Sequence, residues 1–86
     1  MPNVIVKLWP GKSAERKRRL TAAIVDDVTD ILGYGPDWIS VALEEVASAD
    51  WSDSVYGPDI ARQWHRLAKR PGYGPGPAPS TPEKDK

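Results

Sequence analysis

Asn3-Val4-Ile5-Val6-Lys7-Leu8-Trp9, closed by Pro10-Gly11, carries the first element of the fold. β-branched and large apolar residues in a short run predict a strand over 3–9. Pro-Gly ends it, and Ser13 stands where a helix N-cap belongs. Over 14–32, Leu20, Ile24, Val28, Ile31 and Leu32 recur at helical spacing and predict one amphipathic helix. Ala22 and Ala23 add propensity, and Glu15 can pair with Arg18 or Arg19 one turn on. Gly33-Tyr34-Gly35-Pro36 stops the helix, with Gly33 placed for a left-handed cap. A second strand is expected over 38–46, where Ile39, Val41 and Leu43 alternate with Ser40, Ala42 and Glu44. Strand, helix, strand in that order is a βαβ unit with two parallel strands and a crossover helix, an α+β fold. Two strands are too few for a stable sheet. A second copy would complete it, giving a four-stranded sheet with helices over one face.

Beyond this unit the pattern weakens. Residues 47–57 read as irregular, with Trp51 and Tyr56 as anchors. A short helix is expected over 58–70, burying Ile60, Trp64, Leu67 and Ala68, with Asp59 at its start and Lys69 and Arg70 at its end. Residues 1–73 are expected to form one domain. Residues 74–86, rich in Pro and Gly and ending Glu-Lys-Asp-Lys, are expected to be a disordered tail.

Composition narrows the function. Among 86 residues, 12 Lys+Arg balance 12 Asp+Glu, which argues against a nucleic-acid binder. There is no cysteine and one histidine, so no disulfide framework or Cys/His zinc site is expected, and no metal or cofactor is called for. No run approaches the ~20 apolar residues of a membrane span, and no secretory pattern opens the chain. A cytoplasmic protein is the default, with no nucleic-acid or membrane partner. Arg16, Lys17, Arg18 and Arg19 crowd the start of the first helix while Asp26, Asp27 and Asp30 lie toward its end, both against the macrodipole. These charges read as a solvated face, or as cations near Lys12 that attract an anion.

The residue with the most chemistry is Pro2. Methionine before a small residue is normally removed, leaving a free secondary amine on a rigid ring. An α-amino group has a pKa of ~7.7–8.0, lowered by burial or nearby cations. Such an amine can take a proton from one substrate atom and return it to another. Were Met1 retained, the nitrogen would be an amide and could not act as a base.

Several features then stand in order. Pro2-Asn3-Val4-Ile5-Val6-Lys7 opens into a strand, Pro10-Gly11-Lys12-Ser13 leads into a helix of about twenty residues, Ile39-Ser40-Val41-Ala42-Leu43 forms the second strand, and Trp51 and Lys69-Arg70-Pro71-Gly72-Tyr73 follow. Over 2–73 this resembles the 4-oxalocrotonate tautomerase superfamily, especially its PptA-like branch. The resemblance implies a keto–enol tautomerase with Pro2 as general base and acid. It also implies a homodimer, whereas the parent enzyme is a hexamer. Where the parent carries two substrate-holding arginines this chain has Lys12 and Ser40, which disfavours a small dicarboxylate. Trp51 takes the place of an aromatic substrate wall. The branch acts on enols of 2-keto acids such as phenylpyruvate. Two alternatives stay open: a 3-haloacrylate dehalogenase using Glu44 or Glu45 to activate water, and an oligomeric binding module without chemistry. Trp9, Trp38 and Trp64 read as core or interface, and His65 as a surface residue.

Overall fold

The computed structural model describes residues 1–79. Contacts divide the chain into two compact units, Met1–Ala47 and Ser48–Lys86.

The first unit is the βαβ motif. Strand β1 runs Asn3–Leu8, helix α1 Ala14–Leu32 and strand β2 Ser40–Glu45. Both strands are shorter than expected. Trp9 falls outside β1, and Pro36–Trp38 form a 3₁₀ turn before β2. Proline at the first position of that turn presets its φ. The helix boundaries agree with the capping chemistry. Ser13 Oγ accepts from the Arg16 N–H at 3.1 Å, and Gly33 adopts φ 82° with its N–H donating to the Thr29 carbonyl at 3.0 Å. Glu15 pairs with Arg18 on the outer face.

The strands pair in parallel, Asn3 with Ser40, Ile5 with Ala42 and Lys7 with Glu44 on one face, and Val4 with Val41 and Val6 with Leu43 on the other. The Lys17 ammonium meets the Glu45 carboxylate at 2.7 Å and ties the start of α1 to the end of β2. Val4, Val6, Val41 and Leu43 are half-buried, as are Thr21, Ile24, Val25 and Val28 of α1. The predicted stripe is therefore corrected at Leu20, Ile31 and Leu32, which stay exposed. The reason is width. Two strands lie about 4.8 Å apart, and a helix with its side chains is about 10 Å across, so one strand pair covers only the middle of the stripe. Within residues 1–47 no side chain is buried.

The second unit departs further from expectation. The helix begins earlier and ends sooner than 58–70. After a 3₁₀ turn at Ser48–Asp50, a wide π-helix spans Ser52–Ala61 and encloses Pro58. Arg62 N–H reaches back five residues to the Gly57 carbonyl at 3.1 Å. Proline removes a donor and crowds the preceding turn, and a widened turn accommodates it. A short 3₁₀ turn at Trp64–Arg66 follows, and residues 67–70 are not helical. The expected buried set is corrected too. Ala68 is exposed, Ile60, Trp64 and Leu67 are half-buried, and the buried residues are Val55 and Tyr56, at 4% and 6% exposure.

Part of the expected tail is built into this unit. Tyr56 Oη donates to the Tyr73 carbonyl at 3.3 Å and accepts from the Gly76 N–H at 2.9 Å, while Ala78 N–H donates to the Ala61 carbonyl at 3.0 Å. Gly76 and Ala78 of the expected tail are thus hydrogen-bonded to this unit. The rest of the tail, 80–86, lies outside the described residues. Among the described residues no helix is long and apolar enough to cross a membrane.

Two glycines separate backbone strain from crowding. Gly33 and Gly74 both have positive φ, 82° and 86°, but a Cβ on Gly33 meets nothing within 4 Å while one on Gly74 would lie 2.4 Å from the Tyr56 ring. Gly33→Ala is expected to cost about 1–2 kcal/mol, the left-handed penalty alone. Gly74→Ala adds an overpacking cost of about 1–3 kcal/mol. Urea unfolding of the two variants checks the order, and equal losses would contradict it.

Candidate active site

Of the residues singled out in the sequence, Pro2 and Ser40 come together. Pro2 stands half-buried at the head of β1, and its carbonyl accepts from the Ser40 N–H at 3.2 Å. This bond extends the parallel ladder by one step beyond Asn3–Ser40. It therefore fixes where Pro2 lies relative to the start of β2. The Pro2 nitrogen is joined to Met1, which is 80% exposed.

Asn3 belongs with this pair and was not singled out by its sequence. Ser40 Oγ donates to Asn3 Oδ1 at 2.6 Å. The serine proton is thereby used within the protein, and the asparagine amide, which carries two N–H donors on Nδ2, becomes the donor group at this end of the sheet. The signal that could have identified Asn3 is register. Once β1 and β2 are paired in parallel with Pro2 beside Ser40, the next residue on β1 must share a face with Ser40.

Lys12 lies elsewhere in the same unit. It is exposed on the turn that leaves β1, and with Leu8, Arg16, Lys17 and Leu20 it lines an open cavity of about 260 Å³. Leu8 and Leu20 give that cavity an apolar side, and three cations surround it. The full length of β1, about 20 Å at 3.3 Å per residue, separates this end from Pro2. A single chain does not bring Lys12 to Pro2.

Trp51 belongs to the second unit. It is half-buried, and its indole Nε1 donates to Tyr73 Oη at 3.0 Å. Glu45 is engaged by Lys17, and Glu44 is paired in register with Lys7, both at the Lys12 end of the sheet. His65 is exposed beside a cavity lined by Arg62, Trp64 and Pro77 in the second unit. Among the described residues no three His, Cys, Asp or Glu side chains gather where they could hold a metal ion.

Comparison with known proteins agrees with this arrangement. The family model described as "Tautomerase enzyme" matches residues 2–54. A probable tautomerase of Xylella fastidiosa is 45% identical over 74 residues, covering 86% of this chain and 90% of that protein. Tautomerase PptA of Pectobacterium atrosepticum is 35% identical over 77 residues, covering 85% and 97%. Among solved structures, a 4-oxalocrotonate tautomerase isozyme from Methylibium petroleiphilum superposes with a TM-score of 0.58 at 27% identity, covering 77% of this chain and all of that one. YwhB, a homologue of 4-oxalocrotonate tautomerase, gives a TM-score of 0.52 at 33% identity over 54% of this chain and 75% of its own. The βαβ arrangement, headed by a proline and matched from residue 2 onward, identifies the chain as a member of the tautomerase family, an isomerase of the 4-oxalocrotonate tautomerase superfamily.

Proposed function

We propose that this tautomerase interconverts the enol and keto forms of a 2-keto acid with an apolar or aromatic side chain, phenylpyruvate being the model, and that Pro2 carries the proton. The observation that supports this most is that the family match begins at residue 2, directly behind an exposed Met1, at the head of a strand. Removal of Met1 frees a secondary amine at a backbone position held by Ser40. The neutral amine takes the enol hydroxyl proton. The O–H pair becomes the carbonyl π bond, and the C2–C3 π pair takes the proton back from the prolinium at C3. One base thus serves as acid in the second half of the reaction, and general acid–base transfer of this kind is worth about 10²–10⁴-fold.

The substrate carboxylate and the oxygen that gains charge need donors. In this reading Asn3, held by Ser40, offers neutral N–H groups next to Pro2, and Lys12 supplies the cation. Lys12 would reach the amine only from another copy. A two-fold axis across the strands runs the two copies of β1 in opposite directions, so that the Lys12 end of one faces the Pro2 end of the other. The exposed Leu20, Ile31 and Leu32 favour such an assembly, because a second strand pair widens the sheet beneath them. We therefore take the active form to be a homodimer. Of the two glutamates in the dehalogenase alternative, Glu45 has its carboxylate engaged by Lys17.

Four outcomes are expected. Pro2→Ala keeps a primary amine in place and lowers kcat/KM on phenylpyruvate enol, read by ultraviolet absorbance, by about 10²-fold with unchanged circular dichroism. Wild-type activity in that variant would remove Pro2 from the reaction. Because the neutral amine is the base, kcat/KM rises with pH through the pKa of the free amine, and acetylating that amine abolishes the rise together with the activity. Lys12→Gln raises KM more than it lowers kcat. Sedimentation gives twice the mass of one chain, and a monomer with full activity would refute the shared site.

A further inference from the structure

We propose that the open cavity at the Lys12 end of the sheet is a binding site for a small organic carboxylate with an apolar body, in which Arg16 and Lys12 hold the carboxylate and Leu8 and Leu20 seat the rest. The proposal goes beyond the role given to Lys12 above. The site is formed by residues 8–20 of one chain and depends neither on Pro2 nor on a second copy.

Its walls come from two elements that the βαβ unit already fixes against each other. Leu8 ends β1, and its carbonyl accepts from the Val46 N–H at 2.8 Å. Arg16 and Leu20 stand one turn apart at the start of α1 and so share one face of it. Lys17 reaches the Glu45 carboxylate at 2.7 Å and joins that end of the helix to the sheet. The Ser13 cap, accepting from the Arg16 N–H, holds the turn on which Arg16 sits.

Charge selects the polar end of the ligand. Three cations line the cavity and no acidic side chain does. Lys17 is matched by Glu45, and Glu15, the other carboxylate close to Arg16, is taken by Arg18. Among the described residues neither Lys12 nor Arg16 has an ion-pair partner. An anion entering here therefore meets two uncompensated cations. The Arg16 guanidinium is a planar fork that matches a carboxylate with two parallel hydrogen bonds, and Lys12 adds a point charge beside it.

The remaining surface selects the rest of the ligand. Leu8 is half-buried and Leu20 is 40% exposed, and the aliphatic stems of Lys12, Arg16 and Lys17 extend the apolar lining between them. A bare inorganic anion would leave both leucines against water. A neutral apolar molecule would leave both cations without a partner. The volume of about 260 Å³ falls below the ~300 Å³ at which sites for drug-sized ligands begin, so a single ring or a short chain is the right size.

The test uses 3-phenylpropionate, which has a carboxylate and a ring but no keto group to enolise, so that binding is read without turnover. Titrated into the full 15N-labelled chain, it should shift the backbone amides of Leu8, Lys12, Arg16 and Leu20 together with the Arg16 Nε–H resonance. Acetate lacks the ring and 3-phenylpropanamide lacks the charge, and each should bind more weakly than 3-phenylpropionate. Arg16→Gln should weaken 3-phenylpropionate binding by about 3- to 10-fold, between the worth of an exposed ion pair and that of a hydrogen bond to a charge, and Arg16→Lys by less. Added salt should weaken binding to the unaltered chain more than to Arg16→Gln. Shifts centred elsewhere, acetate or the amide binding as well as 3-phenylpropionate, or an unchanged affinity in Arg16→Gln would each overturn the site. A chain that turns over phenylpyruvate enol yet binds no 3-phenylpropionate here would also overturn it, while leaving proton transfer by Pro2 in place.

Discussion

A parallel pair of strands has to be joined by a crossover, and here the crossover is a helix that two strands cannot cover. Helix α1 has 19 residues and is about 28 Å long at 1.5 Å per residue. It lies against one pair of six-residue strands. Fully burying a leucine or isoleucine is worth about 1.5–3 kcal/mol, and Leu20, Ile31 and Leu32, at 40%, 77% and 60% exposure, each forgo part of it. Much of what is specific to the molecule follows from this shortfall. The second copy invoked for catalysis is the same copy that the uncovered stripe calls for, so folding and chemistry make one demand rather than two.

The βαβ motif was legible in the sequence because its signals are local. Ser13, Gly33 and Pro36 each impose a backbone geometry through their own side chain, or through the lack of one, and those constraints act whatever surrounds them. The stripe on α1 was legible as periodicity but not as burial, since burial depends on how wide the sheet is. The second unit was misread for the converse reason. The helix over 58–70 was placed by Asp59 and the spacing of Ile60, Trp64 and Leu67, yet the helical segment starts earlier and holds Pro58 inside a widened turn. The segment 74–79 has the composition of a linker. What holds it is a tyrosine hydroxyl some twenty residues earlier, and no local pattern announces such a contact.

At the candidate site the same division appears. Pro2 was a candidate through the chemistry of a ring nitrogen behind Met1, and the order of strand, turn and helix after it gave that reading its weight. Its nearness to Ser40 needs the strand register, and the register also introduces Asn3 and takes up the proton that Ser40 was expected to offer. Lys12 was legible as a cation, and the strand expected over 3–9 already set it at the opposite end of that strand from Pro2; the structure adds that the strand ends at Leu8.

That separation bears on which substrates the proposed site would favour. In a two-fold arrangement each Pro2 meets Lys12 of the other copy and, from its own chain, the neutral Asn3–Ser40 pair. Lysine is a compact charge rather than a bidentate fork, and an amide donor cannot neutralise a second carboxylate. At the Pro2 end of the chain the donors are uncharged, and a second carboxylate set among them would be costly to desolvate. A monocarboxylate asks for a cationic end and a few neutral donors at the enol oxygen. On this reading, what weighs against a second carboxylate is the uncharged Asn3–Ser40 pair at the Pro2 end of the sheet.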